Sequence, residues 1–357
     1  MKIDHIHFFV EDAIAQRRWF AKYLGWTPVE TLILPDRVVE ILHYRNTPFV
    51  VSSPRVADSP VAEYLRHHPP GVADIAIAVE NLAEMFGRVK AKLYPSEAFA
   101  TILAHLANLR HQPSLPAWTR IEGWPGVQHT LVEHQSPIKS LVNGLNCPDS
   151  QDIDHIVLNV PTGQLQAATT FYQKLFGLKK QQSFKIQTER SGLRSQVLFS
   201  TANQIYFNIN EPTSPNSQIQ TFLDANRGAG IQHIALHSEP IVSTVAALRR
   251  QGMPLLSVPS TYYDQLHQRL QTCAVAPVQS LEWQQIVEQQ ILMDWQAKQP
   301  DSLLLQIFSQ PIFPHNHFFF EFIERRQSVQ GFGERNFLAL YQAIEAAESA
   351  TVELRSR

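Results

Sequence analysis

The stretch Ile3-Asp4-His5-Ile6-His7-Phe8-Phe9-Val10 returns later in the chain as Ile153-Asp154-His155-Ile156-Val157-Leu158-Asn159-Val160. Each copy is a short apolar run of β-forming residues that opens with Asp-His-Ile. Aromatic-rich segments, 19–26 and 171–178, follow the two copies, and each contains a glycine where a helix would end. A strand followed by a helix is therefore duplicated along the chain, which points to an internal repeat.

A second pair of strand-like runs extends this repeat. Residues 71–79 correspond to 230–238, and amphipathic stretches at 82–90 and 241–250 follow them. The strand–helix unit thus begins four times, near residues 3, 72, 153 and 231, and further strand-like runs make the coarse unit βαβββ. The stretch 134–152 is rich in Ser, Pro, Asn and Asp, so we predict a domain of residues 1–135 and another of residues 150–357.

Composition excludes several classes of protein. Apolar residues make up 44% of the 357 residues, and the formal net charge is -2, which provides no basic field for nucleic acid or anionic lipid. There are two cysteines and no CxxC pair, and we see neither a signal sequence nor an apolar window that could span a membrane. We expect a cytoplasmic protein without nucleic-acid or membrane partners. A homo-oligomer is compatible with these features.

Two histidines and one glutamate form a candidate metal site. His155 and His233 begin the third and fourth units, and Glu321 stands in the run Phe318-Phe319-Phe320-Glu321-Phe322. Two imidazoles and one carboxylate are the ligands that non-haem iron(II) uses for oxygen chemistry. Taken singly, a histidine at a strand start is more often structural, and strand alternation could turn Glu321 outward. A buried carboxylate among phenylalanines, however, needs a partner or a metal.

The first half lacks a matching set. His5 corresponds to His155, but Asp74 stands where the second half has His233, and no Phe-Phe-Glu run precedes the linker. We therefore predict that the N-terminal half keeps the fold without a catalytic metal.

The repeated βαβββ units resemble the vicinal oxygen chelate superfamily, which has a glyoxalase-like fold. This resemblance implies an α+β chain of two domains, in which paired units form open, cup-shaped mixed sheets. Within the superfamily, residues of about 150–345 resemble 4-hydroxyphenylpyruvate dioxygenases. The matching motifs, in chain order, are Asp154-His155-Ile156-Val157, Ile209-Asn210-Glu211-Pro212, 217–223, 228–236, 303–308, Phe319-Phe320-Glu321 and 331–337.

The resemblance implies roles for individual residues. His155, His233 and Glu321 would bind Fe(II), and Gln232, Gln306 and Phe337 would act in catalysis. The substrate would be bound by Ser195, Asn210, Gln218, Gln232, Gln306, Phe308, Phe319, Phe332, Asn336 and Phe337. Phe337, Leu340, Tyr341, Ile344 and Ala347 recur at helical spacing and would form a C-terminal lid helix, with Gly331 and Gly333 as its hinge. Arg335 departs from the usual glycine, and 264–298 is assigned only as helical.

The implied activity is that of a 2-oxo-acid-dependent non-haem iron dioxygenase. It would convert 4-hydroxyphenylpyruvate and O2 to homogentisate and CO2, in tyrosine catabolism or in the supply of quinone and tocopherol precursors. Three alternatives stay open: a 4-hydroxymandelate synthase, an extradiol catechol dioxygenase with His237 as a candidate acid–base, and a metal-free binding protein on the same fold. Phe337 favours homogentisate, because the synthase has a smaller aliphatic residue at that position.

Overall fold

The computed structural model of the protein describes residues 2–84, 93–94, 102, 117–142, 152–188, 191–201, 205–271, 278–296, 299–327, 329, 331–333 and 335–338. Within these ranges, no helix is long and apolar enough to cross a membrane.

Strands dominate both halves. The strands are β1 (Lys2–Phe9), β2 (Thr27–Ile33), β3 (Arg37–Tyr44), β4 (Thr47–Pro54), β5 (Gly71–Val79), β6 (Leu93–Tyr94), β7 (Trp118–Glu122), β8 (Gln128–Glu133), β9 (Ile153–Asn159), β10 (Lys179–Gln187), β11 (Gly192–Ser200), β12 (Ile205–Pro212), β13 (Gly230–His237), β14 (Leu292–Gln296), β15 (Gln299–Phe308) and β16 (Phe319–Arg325). The helices are α1 (Ala13–Leu24), α2 (Pro60–His67), α3 (Pro137–Val142), α4 (Leu165–Phe176), α5 (Gln218–Asn226), α6 (Ile241–Arg250), α7 (Ser260–Gln271) and α8 (Ser280–Glu288).

The two halves have the same sheet topology. The first sheet has the order β2-β3-β4-β1-β5-β8-β7-β6, and the second has β10-β11-β12-β9-β13-β16-β15-β14. In both sheets the first strand of the repeat pairs antiparallel with one central neighbour and parallel with the other. The predicted α+β fold of repeated units in mixed sheets is thereby confirmed.

The first helix of each half ends for a local chemical reason, and α1 also begins for one. The Asp12 side chain caps α1 by accepting a hydrogen bond from the Ala15 backbone N–H. Helices α1 and α4 end at Gly25 and Gly177, whose φ values of 68° and 65° lie in the left-handed region that glycine enters without a Cβ clash. Both predicted helix ends are confirmed.

Aromatic side chains join the two halves into one core. The rings of Phe8 and Phe318 lie 5.4 Å apart, and Phe320 lies 6.2 Å from Phe20 and 5.4 Å from Trp26. Side chains alternate along β16, so Phe320 faces the first half while its neighbours Phe319 and Glu321 face the interior of the second sheet. The phenylalanine run therefore contributes one face of β16 to the core between the halves and the other face to the second sheet.

Some predicted elements differ from the observed ones. The segment 264–298 includes the end of α7, the helix α8 and the strand β14, so it is not helical throughout. Helix α3 occupies part of the predicted linker. Most of the amphipathic stretch 82–90 and the lid positions Leu340, Tyr341, Ile344 and Ala347 lie outside the described residues, whereas 335–338 are helical. The domain boundary stays a prediction.

Candidate metal centre

Three adjacent strands place the candidate metal ligands together. His155 lies on β9, His233 on β13 and Glu321 on β16, and β13 pairs with both of the others. Ala235 is the register partner of His155 on one side and of Glu321 on the other. Residues far apart in the chain thus meet on the same face at the centre of the sheet.

The three side chains converge tightly. His155 Nε2 and His233 Nε2 lie 3.2 and 3.6 Å from Glu321 Oε2. One potential ligand atom from each residue lies within 4.8 Å of the others, and all three residues are buried. None of these three facing atoms has a hydrogen-bond partner in the described part of the chain. Buried acceptors that face one another are costly without a cation or proton between them, so this donor set fits a divalent metal.

The protonation of the two imidazoles differs because their neighbours differ. Burial and the nearby His155 hold the pKa of His233 well below its usual value. Burial also opposes charge on His155, but the facing Glu321 and the neighbouring Asp154 raise its pKa to about 9. A proton on His155 thus balances Glu321, and a metal ion at the same point would displace it.

Asp154 orients His155 from behind. Its Oδ1 accepts a hydrogen bond of 2.7 Å from His155 Nδ1, so Nδ1 carries a proton, and the Nε2 lone pair would face the site once a metal displaces the second proton. Arg325 donates to both carboxylate oxygens of Asp154, at 2.6 and 2.9 Å. Burial raises the pKa of Asp154, but Arg325 lowers it far below its usual range and keeps the carboxylate ionised. His237 Nε2 faces Asp154 at 3.4 Å.

Gln306 orients Glu321 in a similar way. Its Nε2 donates to Glu321 Oε1 at 2.7 Å and to the Phe332 carbonyl at 3.2 Å, while its Oε1 accepts from Asn336 Nδ2 at 2.8 Å. Tyr262 then donates to Asn336 Oδ1 at 3.0 Å. The glutamate is therefore fixed by one oxygen, and its other oxygen is left facing the histidines.

A cavity of about 240 Å³ is lined by His233, whereas His155 and Glu321 are not among its lining residues. Eight of the predicted site residues line it: Ser195, Asn210, Gln218, Gln232, His233, Phe308, Phe319 and Phe337. The Phe319 ring stacks on His233 at 4.6 Å, and Phe308 packs against Phe319 and Phe337 at 5.9 Å. The cavity thus combines an aromatic side with several neutral amides, which suits a phenol ring.

The other three predicted substrate-contact residues support or pack against the candidate metal ligands instead of lining the cavity. Gln306 and Asn336 form the hydrogen-bonded support of Glu321, and the Phe332 ring packs edge-on against His155 at 5.2 Å. These three do not line the cavity, so their contact with substrate stays a prediction.

Asn208 is a cavity residue that sequence reasoning missed. It is buried, lines the cavity and leaves its Oδ1 without a hydrogen-bond partner in the described structure, as do Ser195 Oγ and Gln218 Nε2. Strand alternation could have predicted this position, because Asn208 lies two residues before Asn210 on the same strand and therefore on the same face.

The N-terminal sheet uses the equivalent positions differently. Asp74 pairs in register with Gln128 as His233 pairs with Phe319, so Thr130 stands where the second half has Glu321. Thr130 donates from its backbone N–H and its hydroxyl to Asp74, and Arg120 lies 3.5 Å from the same carboxylate. Asp74 is thereby satisfied within the protein.

Comparisons with known proteins agree with this geometry. A family profile described as the Glyoxalase/Bleomycin resistance protein/Dioxygenase superfamily matches residues 152–270. The chain is 36% identical to an uncharacterised protein of Synechocystis, over 98% of each chain. It is 30% identical to the 4-hydroxyphenylpyruvate dioxygenase of Caenorhabditis briggsae, over 97% of this chain and 91% of the relative. The chain belongs to the 4-hydroxyphenylpyruvate dioxygenase family.

Similarity to the family runs through both halves, although the sequence motifs concentrated in the second. The 4-hydroxyphenylpyruvate dioxygenase of Legionella pneumophila is 40% identical over 222 residues, which is 61% of this chain and 60% of the relative. A solved mutant of 4-hydroxymandelate synthase from Streptomyces coelicolor superposes with a TM-score of 0.79 at 24% identity, covering 97% of this chain and 99% of its own. That likeness shows a shared fold.

Proposed function

We propose that the protein is an iron(II)-dependent 4-hydroxyphenylpyruvate dioxygenase that forms homogentisate and CO2 from 4-hydroxyphenylpyruvate and O2. The observation that carries the proposal is the convergence of buried potential ligand atoms on His155, His233 and Glu321, which have no hydrogen-bond partner in the described residues and lie beside an aromatic and amide-lined cavity. Membership of the dioxygenase family supports the same assignment. We place it in the cytoplasm, with domains of residues 1–135 and 150–357.

His155, His233 and Glu321 would hold the iron. When bound, iron(II) supplies the oxygen chemistry and the coordination positions that a 2-oxo acid can chelate. The protein contributes the His155 imidazole oriented by Asp154, the His233 imidazole stacked on Phe319, and one carboxylate held by Gln306. Because these supports are already in place, little reorganisation is needed when the metal binds.

The cavity would orient the substrate by its ring and its hydroxyl. Phe308, Phe319 and Phe337 offer faces and edges to a phenyl ring. Ser195, Gln218 and their amide neighbours offer uncharged partners for a phenol hydroxyl, without burying a charge. Enclosure by these side chains would also exclude water from a metal held by the three ligands.

Product analysis tests the proposal. Purified protein would be loaded anaerobically with Fe(II), supplied with 4-hydroxyphenylpyruvate and then exposed to O2. We expect homogentisate as the main product, with one CO2 released per turnover, and we expect no turnover and much weaker iron retention in His233→Ala. Full activity in His233→Ala would overturn the ligand assignment, and hydroxymandelate from the wild type would identify the synthase instead.

A further inference from the structure

Two chains of hydrogen bonds connect the candidate metal ligands to the C-terminal segment, which we define as residues 329, 331–333 and 335–338. One chain passes through Gln306, which contacts Glu321, the Phe332 carbonyl and Asn336. The other passes through Arg325 and Asp154 to His155. Two of the three ligands are therefore linked to the same short segment.

Arg325 lies at the junction of the second chain. Its Nε and Nη2 donate to Asp154, and its Nη1 donates to the carbonyls of Val329 and Gly331, at 3.2 and 2.7 Å. The guanidinium also lies 5.3 Å from the centre of the Phe332 ring, which packs edge-on against His155. A planar group with fixed donors can make all of these contacts at once, whereas an ammonium cannot.

We propose that Arg325 is a positioning residue that couples metal binding at His155 to the ordering of the C-terminal segment. With Arg325 in place, Asp154 holds the His155 ring in the tautomer that binds a metal, and the segment is held by the same guanidinium. Metal binding and ordering of the segment therefore favour each other, and each must strengthen the other by the same factor. This inference rests on the proposed metal site and goes beyond it, because it assigns regulation of metal affinity to a residue that is not a ligand.

The test uses Co(II), which binds such ligands without reacting with oxygen as readily as iron, and two readouts other than turnover. The first is the Co(II) dissociation constant from an anaerobic optical titration. The second is hydrogen exchange of peptides covering 329–338, with and without Co(II). In the wild type we expect Co(II) to slow exchange in this segment.

Arg325→Lys keeps a positive charge beside Asp154 but cannot reach the two carbonyls in the same geometry. We expect it to bind Co(II) about 10-fold more weakly, at the low end of the range for partners of metal ligands, and to lose most of the Co(II)-induced protection. Arg194→Lys is the matched control, since Arg194 forms an ion pair with Glu211 on the same sheet but is half exposed. This control should behave as the wild type does.

Asn336→Ala keeps the proposal testable if Arg325→Lys folds poorly. It removes the hydrogen bond from Asn336 to Gln306 and so weakens the attachment of the same segment. A folded Asn336→Ala protein should show faster exchange in the segment and weaker Co(II) binding together. Unchanged Co(II) affinity in either folded variant, with exchange altered, would overturn the coupling. A wild type that binds no Co(II) would instead overturn the proposed metal site, so the two failures can be told apart.

Discussion

At the scale of single residues, the cavity is lined by packed aromatic rings and by buried polar atoms. Phe337 packs against Phe308 with ring centres 5.9 Å apart, and Asn208 presents a buried amide oxygen without a partner in the described structure. A buried polar atom without a partner lowers stability, and a ligand that pairs with it would gain affinity. Substitutions there should separate function from stability.

Phe337→Ile should change which carbon of the substrate is oxidised. A phenyl group at this position should hold the substrate ring close to the metal ligands, whereas an aliphatic side chain would leave room for the ring to move away. A difference of about 1.4 kcal/mol between competing barriers changes a product ratio tenfold. We expect a larger hydroxymandelate fraction in the variant, measured by chromatography of the products. An unchanged ratio would show that Phe337 does not direct the reaction.

Asn208→Leu should keep or raise the stability of the folded protein and weaken substrate binding. Removing a buried oxygen without a partner relieves a cost of about 1 kcal/mol, so the unfolding midpoint should rise or stay the same. The KM for 4-hydroxyphenylpyruvate should rise several-fold. Asn226→Leu is the control, because Asn226 is also buried but donates to the carbonyls of Gly228 and Ala229, and its loss should destabilise the protein. A KM equal to that of the wild type would remove Asn208 from the binding site.

At the scale of elements, β16 and the turn after it determine the site. Alternation along β16 sends Phe319 and Glu321 to the cavity and metal side and Phe320 to the core between the halves. The chain then returns past Gln306 through Gly333, whose φ is +64°. A Cβ at Gly333 would lie 2.2 Å from Gln306 Oε1, so the glycine permits the close approach that supports Glu321.

Gly333→Ala should therefore lower the free energy of unfolding through backbone strain and, in addition, weaken metal binding. Gly177 is a matched control, because its φ is +65° and a Cβ there would meet nothing within 4 Å. We expect Gly177→Ala to lower the free energy of unfolding by about 1 kcal/mol without affecting metal binding. Gly333→Ala should lose at least as much stability in urea titrations and also bind Co(II) more weakly. Equal Co(II) affinity in the two variants would contradict the role assigned to the close approach.

At the scale of the whole molecule, the two halves share one sheet topology but have different residues at the equivalent site positions. The sheets have equivalent strand orders, and aromatic residues on both sides of their contact form a continuous core. In the first half, Asp74 is bound by Thr130 and Arg120. In the second half, the equivalent His233 faces Glu321 and His155 without hydrogen bonds from its ring in the described structure.

His5→Ala should leave the metal content of the protein at one iron per folded chain. His5 occupies the position of His155 in the repeat, but its half has Asp74 and Thr130 in place of the other two ligands. Metal analysis of the variant, beside His155→Ala as the contrasting case, checks this. Loss of iron in His5→Ala comparable to that in His155→Ala would place a catalytic metal in the first half.

The sequence by itself determined the repeat, the strand–helix order, the helix ends at Gly25 and Gly177 and the choice of His155, His233 and Glu321 as candidate ligands, because each of these leaves a local pattern. Tertiary structure alone decided which face of β16 Glu321 occupies, that Gln306 supports this carboxylate, and that Arg325 reaches Asp154 across 171 positions of the chain. Such contacts depend on strand register and on the path of the returning chain. These are set by the packing of the whole sheet, and no local pattern records them.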